Sequence, residues 1–410
     1  MSVSLSSPLA VASTDAELAD LVAAQIARPR ADAADSFVLH APLEALARTA
    51  LLGYLPSSQR AAARERLAWV GDTYEAWGPP ADEVASEQFD DAQHATAHLV
   101  SAIRHGDLDE TDIAATWLAS WLTPVQLTTA LADIVVPRLS AAGHGSIFLF
   151  QLSRIAPRSL VAGTMLRGLA RELARYPTWR LTWHERREPG LSRDGDLTEV
   201  LLAPRPPGDP GSSFIFPTMS TTEKSGLAAE LLDRPLRGVR VRDAERQLLR
   251  VAASSMLQDD PDHAPYGWSH CLTMPQAVLG VAHEMSDPAE GVAVAATYVL
   301  GFRSTISRGA IDVDWVPEQP AGDVLDALDA PPSAAAAAAW HAEQDDVDLV
   351  WQRLVSRAAV HEDAHLAKYT LACLDATRTD PEQAPLYRAA AAYLGAWWAQ
   401  LDRDLAAPAA

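Results

Sequence analysis

The chain has 410 residues, 48% of them hydrophobic, which is enough to bury a large core and too apolar for an intrinsically disordered protein. Its 54 Asp and Glu against 33 Lys and Arg give a formal charge of −21, which argues against nucleic acid and anionic membrane surfaces as partners. Two cysteines, Cys271 and Cys373, make no disulfide framework and suit the reducing cytoplasm. The first residues have no basic start and no long apolar core, so no secretory signal is expected, and no uncharged apolar run is long enough to span a bilayer.

Taken in chain order, apolar residues recur at spacings of three and four in PLEALARTALLGYL, ETDIAATWLASWL, VQLTTALADIVVPRL, SLVAGTMLRGLARELARY, MPQAVLGVAHEM, the long stretch from Asp348 to Ala376, and APLYRAAAAYLGAWWAQLDRDL. This predicts a mostly α fold, a single large helical domain over 1–410 with residues 1–35 peripheral. Helix starts are expected at Thr111-Asp112 and Asp380-Pro381. Residues 186–222, rich in Pro, Gly and Ser, predict an irregular insertion or lid. Residues 315–339 read as a connection between helical blocks, with the alanine run 334–339 a helix start or linker. No repeat of fixed period is present.

Two features carry chemistry. The first is His361-Glu362-Asp363-Ala364-His365, a literal H-E-x-x-H. On a continuous helix its two histidines would share one face and bind zinc, with Glu362 as base on a metal-bound water. The usual completions are weak: Lys368 and Leu371 stand where a metzincin has Gly and His, and Glu382 as a distant ligand follows Pro381. The second is lysine usage. Lys224 and Lys368 are the only lysines, and a lysine, unlike an arginine, can lose its proton. Lys224, in STTEKSG, reads as solvated surface. Lys368 lies among Leu366, Ala367, Leu371 and Ala372, where an ammonium ion is costly to bury.

Of twelve histidines, His40, His144, His270 and His365 each sit within or at the start of an apolar helix. A satisfied core or capping histidine is the plain reading of any one of them, whereas several converging in a helical core would build a metal site. His94 and His98, also four apart, read as a polar helix face, and Cys271 as a small buried apolar residue. Phe148, Tyr266, Trp268 and Tyr369 stand beside these positions and would line an aromatic substrate pocket, or fill core. Gly143-His144-Gly145 is no dinucleotide fingerprint, because Phe148 holds the sixth position, so a built-in flavin or nicotinamide domain is not expected.

The order His40, His144, GWSH at 267–270 and HLAKYTLACL at 365–374 resembles the questin oxidase-like family, over about residues 36–395 and most specifically in the closing H-x-x-K helix. Ala41-Pro42 departs from the Leu-Pro pair expected after the first histidine. The resemblance implies a non-haem Fe(II) oxygenase of aromatic polyketide metabolism, with His40, His144, His270, His365 and an N-carboxylated Lys368 as metal ligands. It implies O2 as co-substrate, an anthraquinone-type polycyclic substrate and oxidative carbon–carbon ring cleavage. A Baeyer–Villiger-type, NADPH-dependent monooxygenase on the same scaffold is the variant reading, and a zinc hydrolase using His361, Glu362 and His365 the rival. His361 is the candidate catalytic base or a support for a ligand, or else a surface residue. The oligomeric state is open.

Overall fold

The computed structural model describes residues 12–84, 88–155, 159, 161–186, 197–203, 214–320 and 323–406. Among them are nineteen α-helices and no β-strand, in agreement with the mostly α expectation. None of these helices is long and apolar enough to cross a membrane. The chain divides into two compact units, one of residues 1–182 with 280–291, the other of residues 183–279 with 292–410.

The first unit contains α1 (Asp15–Ile26), α2 (Ser36–Leu52), α3 (Ser57–Ala76), α4 (Ala92–His105), α5 (Leu108–Trp121), α6 (Pro124–Val135), α7 (Gly145–Ile155) and α8 (Leu166–Arg175). The expectation of a peripheral 1–35 segment fails for α1. Leu18, Ala19, Val22, Ala23 and Ile26 form one apolar stripe, and the helix buries it against α2 and α3. α5 starts after Asp107, whose carboxylate caps the Glu110 N–H, so Thr111-Asp112 lies inside the helix and not at its start. Asp112 is instead buried and accepts from Arg167 (2.7 Å) and Arg171 (2.5 Å), which bind α8 to α5.

The start of α2 is held from several sides. Asp35 caps the Val38 N–H with one carboxylate oxygen and takes the Trp77 indole N–H, 2.8 Å, with the other. Glu172 of α8 accepts the Ala34 N–H at 3.1 Å. Phe37 packs on Trp77 with ring centroids 4.8 Å apart. His40, one turn further on, inherits this fixed position.

The second unit contains α9 (Leu197–Leu202), α10 (Ile215–Lys224), α11 (Leu227–Leu232), α12 (Val241–Gln258), α13 (Ser269–Ala282, to residue 279), α14 (Pro288–Ile306, from residue 292), α15 (Val324–Ala327), α16 (Pro332–His341), α17 (Val347–Val360), α18 (Ala364–Thr379) and α19 (Ala384–Ala406). α9 lies within 186–222 and α10 begins there, so most of the span is helical where it is described; residues 187–196 and 204–213 lie outside the described residues. Arg303, buried on α14, binds the Asp259 carboxylate and the Leu201 and Leu202 carbonyls, which ties α9 into the unit. The alanine run is buried along α16, which packs against α19. Arg388 closes the end of α16 by donating to the Ala339 and Trp340 carbonyls. Lys224 is exposed, as the sequence predicts.

Asp380, at the end of α18, is 1% exposed and receives both ends of the Arg250 guanidinium (2.6 and 2.7 Å) and the Tyr387 hydroxyl (3.0 Å). Three helices, α12, α18 and α19, meet on this one carboxylate. Removing the cation leaves the charge buried without its counter-ion, so Arg250→Met should cost about 3 kcal/mol of stability, read as a shift in a denaturant unfolding curve. An unchanged midpoint would show that the Tyr387 hydroxyl alone suffices.

Candidate functional site

The first unit brings His40 and His144 together. Their rings stand edge to face with centroids 4.7 Å apart, and a ring nitrogen of each lies within 4.8 Å of the other. His40 is half-buried on α2, and its Nδ1 is 2.5 Å from the Ser36 carbonyl one turn back. A carbonyl only accepts, so Nδ1 carries the proton and the lone pair is on Nε2. His144 is 3% exposed and immediately precedes α7.

His144 owes its position to a strained turn. Ala141, Ala142 and Gly143 have φ of 52°, 51° and 68°, three consecutive left-handed residues, two of which carry a Cβ. Backbone pairing on the approach holds the turn: the Leu139 N–H donates to the Trp179 carbonyl and the Leu181 N–H to the Pro137 carbonyl, both at 2.8 Å. Beyond it, Gly145 packs so close that a Cβ there would lie 2.6 Å from Val135 Cγ1. Non-glycine residues in this region cost about 1–2 kcal/mol each and persist where the surroundings demand them, often at functional sites.

Phe148, one helical turn after His144, is buried and lines with it a cleft of about 40 Å³. That volume holds a few waters and not a three-ring aromatic.

The second unit brings His270, His365 and Lys368 together. The two imidazoles stand edge to face, centroids 4.8 Å apart. Lys368, three residues after His365 on α18, is 2% exposed and close enough to act electrostatically on both rings. Burial, and after it Lys368, pushes His270 down to about 3 and His365 well below the ordinary imidazole range, so both are neutral at neutral pH. His270 donates from Nδ1 to the Tyr266 carbonyl, and His365 donates from Nδ1 to Asp363 Oδ1 at 2.8 Å. Three of the four histidines therefore have the same tautomer, with Nε2 as the nitrogen able to take a cation.

The aromatic neighbours differ among themselves. Tyr266, in a wide π-helical turn over Ala264–Trp268, is half-exposed and stands edge-on to His365 at 4.9 Å. Its hydroxyl donates to Asp363 Oδ2 at 3.1 Å, and burial and then that carboxylate push its pKa up to about 12. Trp268 and Tyr369 occupy fully buried core positions. The Trp268 indole N–H donates to the Asp260 carbonyl, and burial pushes the Tyr369 hydroxyl well above its ordinary range. Cys271 is a buried free thiol.

H-E-x-x-H does not lie on one helix. α17 ends at Val360, His361 is extended at φ −60°, ψ 148°, and α18 begins at Ala364 with Asp363 as its N-cap. The shared helix face assumed for His361 and His365 is absent. The His361 Nδ1 lone pair accepts the Asp363 N–H at 3.0 Å, which leaves the neutral ring no lone pair for service as a base. Its Nε2 faces Asp402 at 3.4 Å, and Glu362 is exposed. His94 and His98 are paired with Asp90 and Glu110 on a partly exposed face of α4, as expected. The residue that sequence reasoning passed over is Asp363. Its signal was an Asp directly before an apolar helical run.

Relieving the strained turn should raise stability: Ala142→Gly by about 1 kcal/mol, whereas Gly143→Ala should lower it by at least as much. Denaturant unfolding of both variants checks this, and equal midpoints would mean the turn is not left-handed. No protein-family model, curated protein or solved structure matches the chain.

Proposed function

We propose that the chain is a cytoplasmic non-haem Fe(II) oxygenase that uses O2 for oxidative carbon–carbon ring cleavage of an anthraquinone-type or related polycyclic aromatic substrate. The metal ligands in this reading are His40, His144, His270, His365 and Lys368. The observation that carries it is the shared tautomer. His40, His270 and His365 each hold Nδ1–H against an oxygen acceptor, the arrangement that metal-binding histidines use to present Nε2. Around Lys368, two neutral imidazoles are supported by burial. A lysine amine in such a place is suited to take up carbon dioxide as a carbamate, and four imidazoles with one anionic oxygen are a donor set that fits Fe(II).

Iron bound there would bind and activate O2 beside the substrate. The chain's own contribution is orientation and exclusion of water. The buried positions of His144, His270, His365 and Lys368 keep bulk solvent from the donor atoms, and backbone carbonyls and Asp363 fix the ring planes. Tyr266, with its hydroxyl held protonated and its ring half-exposed beside His365, is the group of this set placed to meet a planar aromatic arriving from solvent. Free thiols at Cys271 and Cys373 suit a reducing compartment.

Elemental analysis of protein purified without oxygen or chelator tests the reading. Wild type should carry about one iron per chain, lost in His144→Ala and in His270→Ala and kept in Glu362→Gln. Zinc bound independently of His144 would replace this reading with the hydrolase. Labelled bicarbonate should give a carbamate carbon resonance in wild type that Lys368→Arg abolishes; its absence from the wild-type spectrum removes the carboxylated lysine. Turnover of anthraquinols with and without NADPH then separates dioxygenase from monooxygenase chemistry.

A further inference from the structure

Between α17 and α18 the chain leaves the helix for residues 361–363, and the polar groups there converge on the His365 imidazole. We propose that Asp363 and Tyr266 form a positioning pair that fixes the tautomer and ring plane of both His365 and His270, with His361 holding Asp363 in place. The proposal rests on the reading of His270 and His365 as metal ligands.

The geometry of the break is what makes the pair work. On a continuous α-helix, residues two apart point to nearly opposite faces, so an aspartate at 363 could not reach an imidazole at 365. With Asp363 extended at φ −81°, ψ 128°, its Oδ1 accepts both the backbone N–H of His365 (2.7 Å) and the ring Nδ1–H (2.8 Å). One oxygen therefore caps the helix and sets the tautomer. The other, Oδ2, accepts the Tyr266 hydroxyl at 3.1 Å.

Tyr266 reaches the second histidine through its backbone, because its carbonyl accepts the His270 Nδ1–H. The turn that carries it is pressed tightly into place: a Cβ at Gly267 would lie 2.4 Å from Ile306 Cδ1 and 3.1 Å from His263 Cβ. Asp363 is held from behind, since its own N–H donates to His361 Nδ1. The His361 ring packs on Trp398 at 5.0 Å with Nε2 towards Asp402. A single chain of contacts, from Asp402 through His361, Asp363 and Tyr266, thus reaches both imidazoles.

Nitrogen-15-labelled histidine in the full-length, metal-free protein reports the tautomers directly through two-bond nitrogen–proton couplings. Wild type should show Nδ1–H at both His365 and His270. Asp363→Ser keeps a capping oxygen for the His365 N–H but is too short to hold the ring, so His365 should shift towards the Nε2–H form. Fe(II) affinity, measured anaerobically, should fall about 10- to 100-fold while helix content is unchanged. Asp363→Asn, which offers the same Oδ1 acceptor, should restore the tautomer and most of the affinity. Tyr266→Phe should lower the affinity less, and its effect should shrink once Asp363 is already serine. An Nε2–H form of His365 in wild type, or a tautomer indifferent to Asp363→Ser, overturns the proposal. Correct tautomers in a wild-type protein that binds no iron would instead uphold the pair and overturn the oxygenase reading.

Discussion

A neutral imidazole has one donor and one acceptor nitrogen, so whatever engages the donor decides where the lone pair points. The candidate site depends on this constraint. For a histidine inside a helix the solution is local. His40 and His270 each donate to the carbonyl four residues back, which the helix itself puts in reach. His365 cannot do the same. It is the second residue of α18, and the residue four before it, His361, lies outside the helix with an extended backbone. A carboxylate brought round by the chain break does the work of the missing carbonyl. The break that spoils H-E-x-x-H as a zinc motif is therefore the feature that lets the second histidine of that motif present Nε2.

Much of the helical architecture was legible because it is written in local spacing. The three-and-four recurrence located α2, α5, α6, α8, α13, α18 and α19. What spacing could not supply were interruptions that leave the apolar pattern intact. From Asp348 to Ala376 the pattern runs on through 361–363, and only the N-cap chemistry of Asp363 shows where one helix stops and the next begins. The same blindness placed the start of α5 at Thr111-Asp112, where a pair of polar residues suggested a boundary. Asp112 is polar for a tertiary reason, as the buried partner of two arginines on α8. Within 186–222 the described residues include α9 and most of α10, which composition did not suggest.

The ion pairs that hold each unit were outside the reach of sequence patterns, because their partners are far apart in the chain. Asp380 and Arg250 are separated by 130 residues, Arg303 and Asp259 by 44, and Arg167 and Asp112 by 55. Each buries a carboxylate under a guanidinium that also reaches further oxygens or is joined there by a second donor, which makes a buried charge tolerable. In the candidate site the histidines and the lysine could be picked out by their apolar surroundings in sequence. Of the groups that orient them, Asp363 left only the helix-cap signal of an Asp before an apolar run, and the Tyr266 carbonyl and the turn at 141–143 left none, since both act through backbone geometry.

Lys368 is best understood beside those arginines. The buried guanidinium of Arg48 meets the Glu44 carboxylate, that of Arg303 a carboxylate and two carbonyls, and that of Arg388 two carbonyls. The chain thus has an established way to bury a permanent cation, which is to surround it with oxygen acceptors. Lys368 stands one turn from His365 and within electrostatic reach of His270, two imidazoles held neutral by burial. An arginine at that position would keep its charge beside two imidazoles. A lysine can shed its proton, and its neutral amine can be converted to an oxygen anion. In a chain whose other basic side chains are arginine save for the exposed Lys224, Lys368 is a buried cation-former that, unlike those arginines, can change its protonation state.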